Sequence, residues 1–108
     1  MAKKRIPKEI KRMVLGYVTR LLEEEFIPID KVYIFGSTAK GTQTDKSDID
    51  VCIVSPFFTN KVRAIQFLLN KRNNKEVIFG LEPIGFSSKE FLASSSLIDE
   101  IKFNGVRI

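Results

Sequence analysis

Two aspartates one residue apart, Asp48 and Asp50, open an apolar run that continues to Val54, and a Gly-Ser step, Gly36-Ser37, stands ten residues before them. In an extended chain alternate residues share a face, so the two carboxylates project together, about 7 Å apart along the strand, while Ile49, Val51 and Ile53 point the other way. Two like charges at the start of an apolar strand repel each other and gain nothing from a core. A divalent cation would neutralise them, and hard oxygen donors without His or Cys select Mg²⁺ or Mn²⁺, with substrate phosphates completing the coordination. The Gly-Ser step, placed where a strand ends and a short helix opens, offers backbone N–H groups and a hydroxyl to an anion. Phosphate cradle and metal clamp together describe a nucleoside triphosphate site suited to in-line displacement at phosphorus.

Composition narrows the chemistry further. The chain of 108 residues contains no His and a single cysteine, Cys52. That excludes a thiolate-rich metal site, an intrachain disulfide, and both Ser/His/Asp and Cys/His catalysis. Catalysis at neutral pH must therefore use carboxylates, lysines, hydroxyls or bound metal. Gly36 to Gly41 has the glycine spacing of a P-loop, but Thr42-Gln43 follows where such a loop needs Lys and then Ser or Thr. The net charge of +5 is concentrated at one end. Residues 1–12 carry Lys3, Lys4, Arg5, Lys8, Lys11 and Arg12 against Glu9, and the rest of the chain balances. This argues for an end-on anionic contact rather than a nucleic-acid-coating surface, so direct nucleic-acid binding is not expected. The apolar run from Met13 to Val18 is too short for a signal-peptide core or a membrane span. A cytoplasmic protein without membrane contact is expected.

The elements that must position these groups follow from periodicity. Pro7 suits the first turn of a helix, and Ile10, Met13, Val14, Tyr17, Val18, Leu21 and Leu22 recur at helical spacing up to about Glu25. Val32 to Phe35 and Ile49 to Val54 read as strands, with a turn and a short helix between them. A helix from roughly Thr59 to Arg72 precedes a third strand, Val77 to Phe86, in which Pro83 argues for an edge position or a late bulge. Ser87 and Glu90 form a capping box that opens a short helix, and Asn104-Gly105 punctuates the end of a last one. The expected architecture is one α/β (α+β) domain over residues 1–108, in the order αβαβαβα, with a small mixed sheet of about three strands flanked by helices.

Gly36-Ser37 followed after ten residues by Asp48-x-Asp50 resembles the signature of the DNA polymerase β-like nucleotidyltransferase superfamily. Gly-Ser-Thr-Ala-Lys-Gly and Ser-Asp-Ile-Asp-Val are similar to its minimal nucleotidyltransferase (MNT) branch, and the likeness extends to Leu81 through Phe86 and to Gly105 through Ile108. The resemblance implies two Mg²⁺ ions and transfer of a nucleoside monophosphate, AMP from ATP by family habit, with release of pyrophosphate. By position Gly36 and Ser37 would contact the triphosphate, and Asp48 and Asp50 would hold the metals. A third carboxylate from the third strand is implied, to bind one metal and assist deprotonation of the attacking hydroxyl. Glu82 and Glu76 are the candidates; Glu82 is favoured because Gly80 beside it leaves room for a ligand and Leu-Glu-Pro matches the family.

Around this set, Lys40 is a candidate counter-charge for the triphosphate and Ser47 a candidate for orienting the Asp48 turn. Cys52, among Val51, Ile53 and Val54, reads as core, and Phe57, Phe58 and Phe67 as core and loop anchors. Small members of the resembled branch pair with helical HEPN-domain toxins and silence them by modification, which implies a separate HEPN-like protein as acceptor. The alternative is a catalytically inactive nucleotide- or partner-binding module that acts by contact alone.

Overall fold

The structure, a computed structural model, describes residues 6–42 and 48–108. In chain order it contains α1 (Lys8–Glu23), β1 (Lys31–Phe35), α2 (Ser37–Lys40), β2 (Ile49–Val54), α3 (Lys61–Asn70), α4 (Asn74–Ile78), β3 (Leu81–Phe86), α5 (Ser88–Leu92), α6 (Ser96–Asn104) and β4 (Val106–Arg107). The sheet order is β3-β2-β1-β4. β1 runs antiparallel to β2 and β4, and β2 runs parallel to β3. The sheet is mixed, as expected from the sequence, with β4 as a fourth strand.

Strand parity divides the interior into two layers. Ile49, Val51 and Ile53 of β2, with Val32 and Ile34 of β1, face Val14, Tyr17, Val18 and Leu21 of α1 and Ala64 and Leu68 of α3. Cys52, Val54 and Phe86 face the other way, against Phe91 of α5 and Ile98 and Ile101 of α6. Burial pushes the Cys52 thiol up to about 12, so this cysteine is packing material and not a nucleophile. Asp48 and Asp50 have the parity of Cys52, and so lie toward the α5–α6 side of the sheet.

Local capping fixes where the helices begin. Asn60, Ser87 and Ser95 accept hydrogen bonds from the backbone N–H groups of Arg63, Glu90 and Ile98, and at Ser87 the Glu90 side chain returns the bond, completing the expected box. Pro83 sits in β3, an edge strand, where its missing N–H costs no ladder bond on the outer side.

The third strand begins four residues later than its apolar composition suggests. Val77 and Ile78 belong to α4, because Asn73 and Glu76 form a second reciprocal capping box that nucleates a short helix. Gly80, at φ +81°, then turns the chain into β3. Val77, Ile78 and Phe79 are consequently exposed, although β-branched and aromatic residues normally favour a half-buried strand. Glu76 leaves the strand with them. Only 2% exposed, it receives Arg20 of α1 in a two-pronged ion pair, with nitrogen–oxygen distances of 2.5 and 2.8 Å. Arg20 also donates to the Lys71 carbonyl, and the buried Tyr17 hydroxyl donates to the Leu68 carbonyl. These bonds fasten α1 to the α3–α4 connection.

Candidate active site

The hairpin of β1 and β2 brings the two sequence motifs together. Phe35, the last residue of β1, pairs with Asp50, so Gly36 arrives beside the Asp50 side chain. Gly36 adopts φ 73° and ψ −150°, a region essentially reserved for glycine. A Cβ built there would overlap Asp50 Oδ2, so the carboxylate occupies the space that a side chain would need. Gly36→Ala should therefore displace Asp50 and strain the turn together. We expect a stability loss of about 1–2 kcal/mol with a larger loss of activity, read by denaturant melts alongside nucleotide-transfer assays.

On the opposite edge of β2 the parallel register sets Glu82 directly beside Asp50. Ile84 and Phe86, which share Glu82's parity, pack into the α5–α6 layer, so Glu82 lies on the Asp48–Asp50 face. Asp50 is held above the usual carboxylate range, first by partial burial, then by the negative charges of Asp48 and Glu82. The Arg72 guanidinium donates to the Leu81 carbonyl at 3.0 Å and pins the start of β3 next to Glu82. Glu76, the other candidate for the third carboxylate, is committed to Arg20 and lies in α4, so it is excluded from this group.

The remaining predicted residues are placed as follows. Ser37 begins α2, and its carbonyl accepts from the Thr42 N–H at 2.9 Å. Lys40 reaches Glu100 of α6 at 3.0 Å and keeps half of its side chain exposed. Ser47 lies outside the described residues. Phe58 is buried, whereas Phe57 is exposed and lies near both Phe58 and Phe67. Two neighbours of the site carried no signal of their own. One is Phe35, paired with Asp50; the other is Thr38, whose buried hydroxyl has no hydrogen-bond partner among the described residues.

The donor set suits a hard divalent cation in kind: three carboxylates on one face, with Asp50 already carrying excess negative potential that a cation would relieve. The three are not drawn into a closed cluster, and among the described residues no group of three or more His, Cys, Asp or Glu is arranged to hold a metal ion.

The nucleotidyltransferase domain family profile matches residues 5–108, nearly the whole chain. The chain belongs to the nucleotidyltransferase domain family. Its fold is similar to the crystal structure of a candidate nucleotidyltransferase from Sulfolobus solfataricus, with a TM-score of 0.65 at 21% identity, covering 92% of this chain and 78% of that one. Comparison with curated proteins finds no match. Family membership supports nucleotidyl transfer as the general activity and a nucleoside triphosphate with divalent metal as the general requirement of this nucleotidyltransferase domain. No helix of the described residues is long and apolar enough to cross a membrane.

Proposed function

We propose that this nucleotidyltransferase domain is of the minimal branch, that it transfers AMP from ATP in a Mg²⁺-dependent reaction, and that the acceptor is a hydroxyl on a separate, helical HEPN-like protein that the modification silences. The observation that carries the reading is the register that sets Glu82 beside Asp50, on the face shared with Asp48 and flanked by Gly36.

In this reading Gly36 and Ser37 contact the triphosphate through backbone N–H groups and the Ser37 hydroxyl. Lys40, freed from Glu100, supplies counter-charge at the phosphates. Asp48, Asp50 and Glu82 would hold two Mg²⁺ ions, which when bound offset the charge of the triphosphate and of the departing pyrophosphate. The acceptor oxygen forms a bond to the α-phosphorus as the bond from that phosphorus to the α–β bridging oxygen breaks. Pyrophosphate leaves, and Glu82 accepts the proton of the acceptor hydroxyl.

The test is incubation with Mg²⁺, α-labelled ATP and a HEPN-like protein encoded beside this chain. Label should appear on the partner. Glu82→Gln should lower the transfer rate by about 10²- to 10³-fold, as expected for loss of a general base, while leaving stability nearly unchanged. A rival reading, a binding module without catalysis, is favoured by the unclosed carboxylate group. Complex formation without label, unaffected by Asp48→Ala, would establish it.

A further inference from the structure

A cavity of about 570 Å³ lies between one face of α1 and the α4 turn, on the side of the sheet opposite the carboxylates. Its floor is apolar, with Ile10 and Met13 from α1 and Phe79 from the turn after α4. The rim is cationic. Arg12 from α1 and Lys75 from α4 line the cavity's two walls. Glu76 adds no net charge because Arg20 neutralises it, which leaves Glu9 as the one uncompensated acid among the lining residues.

Gly16 provides an independent observation. It stands in the middle of a 16-residue helix and lines the cavity. Glycine there weakens a helix relative to alanine. A Cβ at Gly16 would meet nothing within 4 Å, so packing inside this chain does not require the glycine. What the missing side chain leaves open is space for a surface from outside to approach the α1 backbone.

We propose that this groove docks an acidic, amphipathic α-helix of a separate protein. The α1 wall runs from Glu9 to Arg20, which at 1.5 Å per residue is about 17 Å, or three turns of a partner helix. Apolar side chains of that helix fill the floor over Ile10, Met13 and Phe79, its backbone approaches at Gly16, and its carboxylates face Arg12 and Lys75. A nucleic acid fits less well, because it would leave the apolar floor of Ile10, Met13 and Phe79 unused. The groove also reaches Ile49, which lies between Asp48 and Asp50 in β2, so a docked protein sits at the end of the sheet where the carboxylates begin. Identification of the docked protein with the acceptor rests on the function proposed above; the docking does not.

The experiment is fluorescence anisotropy with the full chain at low ionic strength, without nucleotide or metal. The probe is a labelled peptide of about three to five helical turns, with Leu at helical spacing and Glu elsewhere. Companion probes are its Lys-for-Glu counterpart, a Glu-only peptide and a single-stranded oligonucleotide of similar charge. The Leu/Glu peptide should bind best. Gly16→Leu, which fills the floor, should weaken it at least about tenfold, and Arg12→Glu with Lys75→Glu should do the same. Gly16→Ala should raise the melting temperature by several degrees yet weaken the peptide, a combination that a purely structural role for this position would not produce. Failure of the Leu/Glu peptide to bind, indifference to these substitutions, or tighter binding of the oligonucleotide through the same residues would overturn the proposal. Docking as expected, with no label on the partner in the transfer assay, would uphold the groove and sink the acceptor reading.

Discussion

Asp50→Asn lowers nucleotide transfer by at least about a thousandfold, roughly 4 kcal/mol of transition-state stabilisation, and at the same time raises the melting temperature of the metal-free protein. Both effects have one cause. The Asp50 carboxylate is half-buried on β2 between Asp48 and Glu82, with the Gly36 backbone against it, and folding therefore disfavours its charged form. Because its folded pKa lies above the ordinary value, ionisation of Asp50 destabilises the folded state. That cost is fully present above the raised pKa and fades as pH falls toward the ordinary aspartate value. The stabilisation by Asn should accordingly be largest at neutral pH and shrink in acid, which calorimetry of wild type and variant at several pH values would read. Activity follows the same group in the opposite sense. Its acid limb should lie above the usual carboxylate range at low Mg²⁺ and move to lower pH as Mg²⁺ rises, since metal and proton compete for Asp50. An Asn variant that is inactive but no more stable would contradict this electrostatic account of the site.

Glu76→Ala is expected to cost about 3 kcal/mol of stability. Three interactions go at once: both prongs of the Arg20 ion pair and the bond that Glu76 returns to the Asn73 N–H. Arg20 keeps the Lys71 carbonyl and the face of the Tyr17 ring. Its side chain retains about a third of its exposure, which lets water compensate part of the charge and places the expectation toward the lower end for a broken buried pair. A melting temperature lower by more than about 10 °C should report it. Replacing both partners, Arg20→Met with Glu76→Met, should recover much of the loss, because neither charge is then left unpaired. Transfer per folded molecule should stay near wild type for Glu76→Ala and collapse for Glu82→Gln. Equal loss of transfer in the two would mean that α4 contributes to the chemistry.

The contrast between these two glutamates marks how far the sequence could be read. Parity along β2 placed Asp48 and Asp50 opposite Ile49, Val51 and Ile53, because a strand's two-residue period carries over directly into which face is buried. Glu82 was legible from its Leu-Glu-Pro context. Glu76 was ambiguous because the strand-like run Val77-Ile78-Phe79 concealed a capping box, and a reciprocal pair of side-chain to backbone bonds outweighs β-propensity over five residues. The partner of Glu76, Arg20, lies 56 positions away, a distance at which no periodicity signals contact. β4 was likewise invisible as a strand, since two residues have no pattern of their own and Val106–Arg107 is extended only through pairing with Tyr33 and Ile34. Gly16 did carry a signal, a helix-weakening residue within a strongly periodic segment, but the open space around it could be seen only in three dimensions.

The pairing of Phe35 with Asp50 also has a consequence for the order in which the site assembles. β1 and β2 are the two inner strands and neighbours in sequence, so their antiparallel pair closes a short loop, and the Gly36–Asp50 contact forms with it. Glu82 arrives only when the longer segment through α3 and α4 has folded over and β3 has docked in parallel, a later and entropically costlier closure. The Gly36–Asp50 contact is thus built into an early hairpin, and Glu82 is added beside it by the later pairing of β3. Backbone amides of β2, flanked on both sides, should exchange with solvent more slowly than those of the edge strand β3, so that transient loss of Glu82 precedes loss of the Gly36–Asp50 contact.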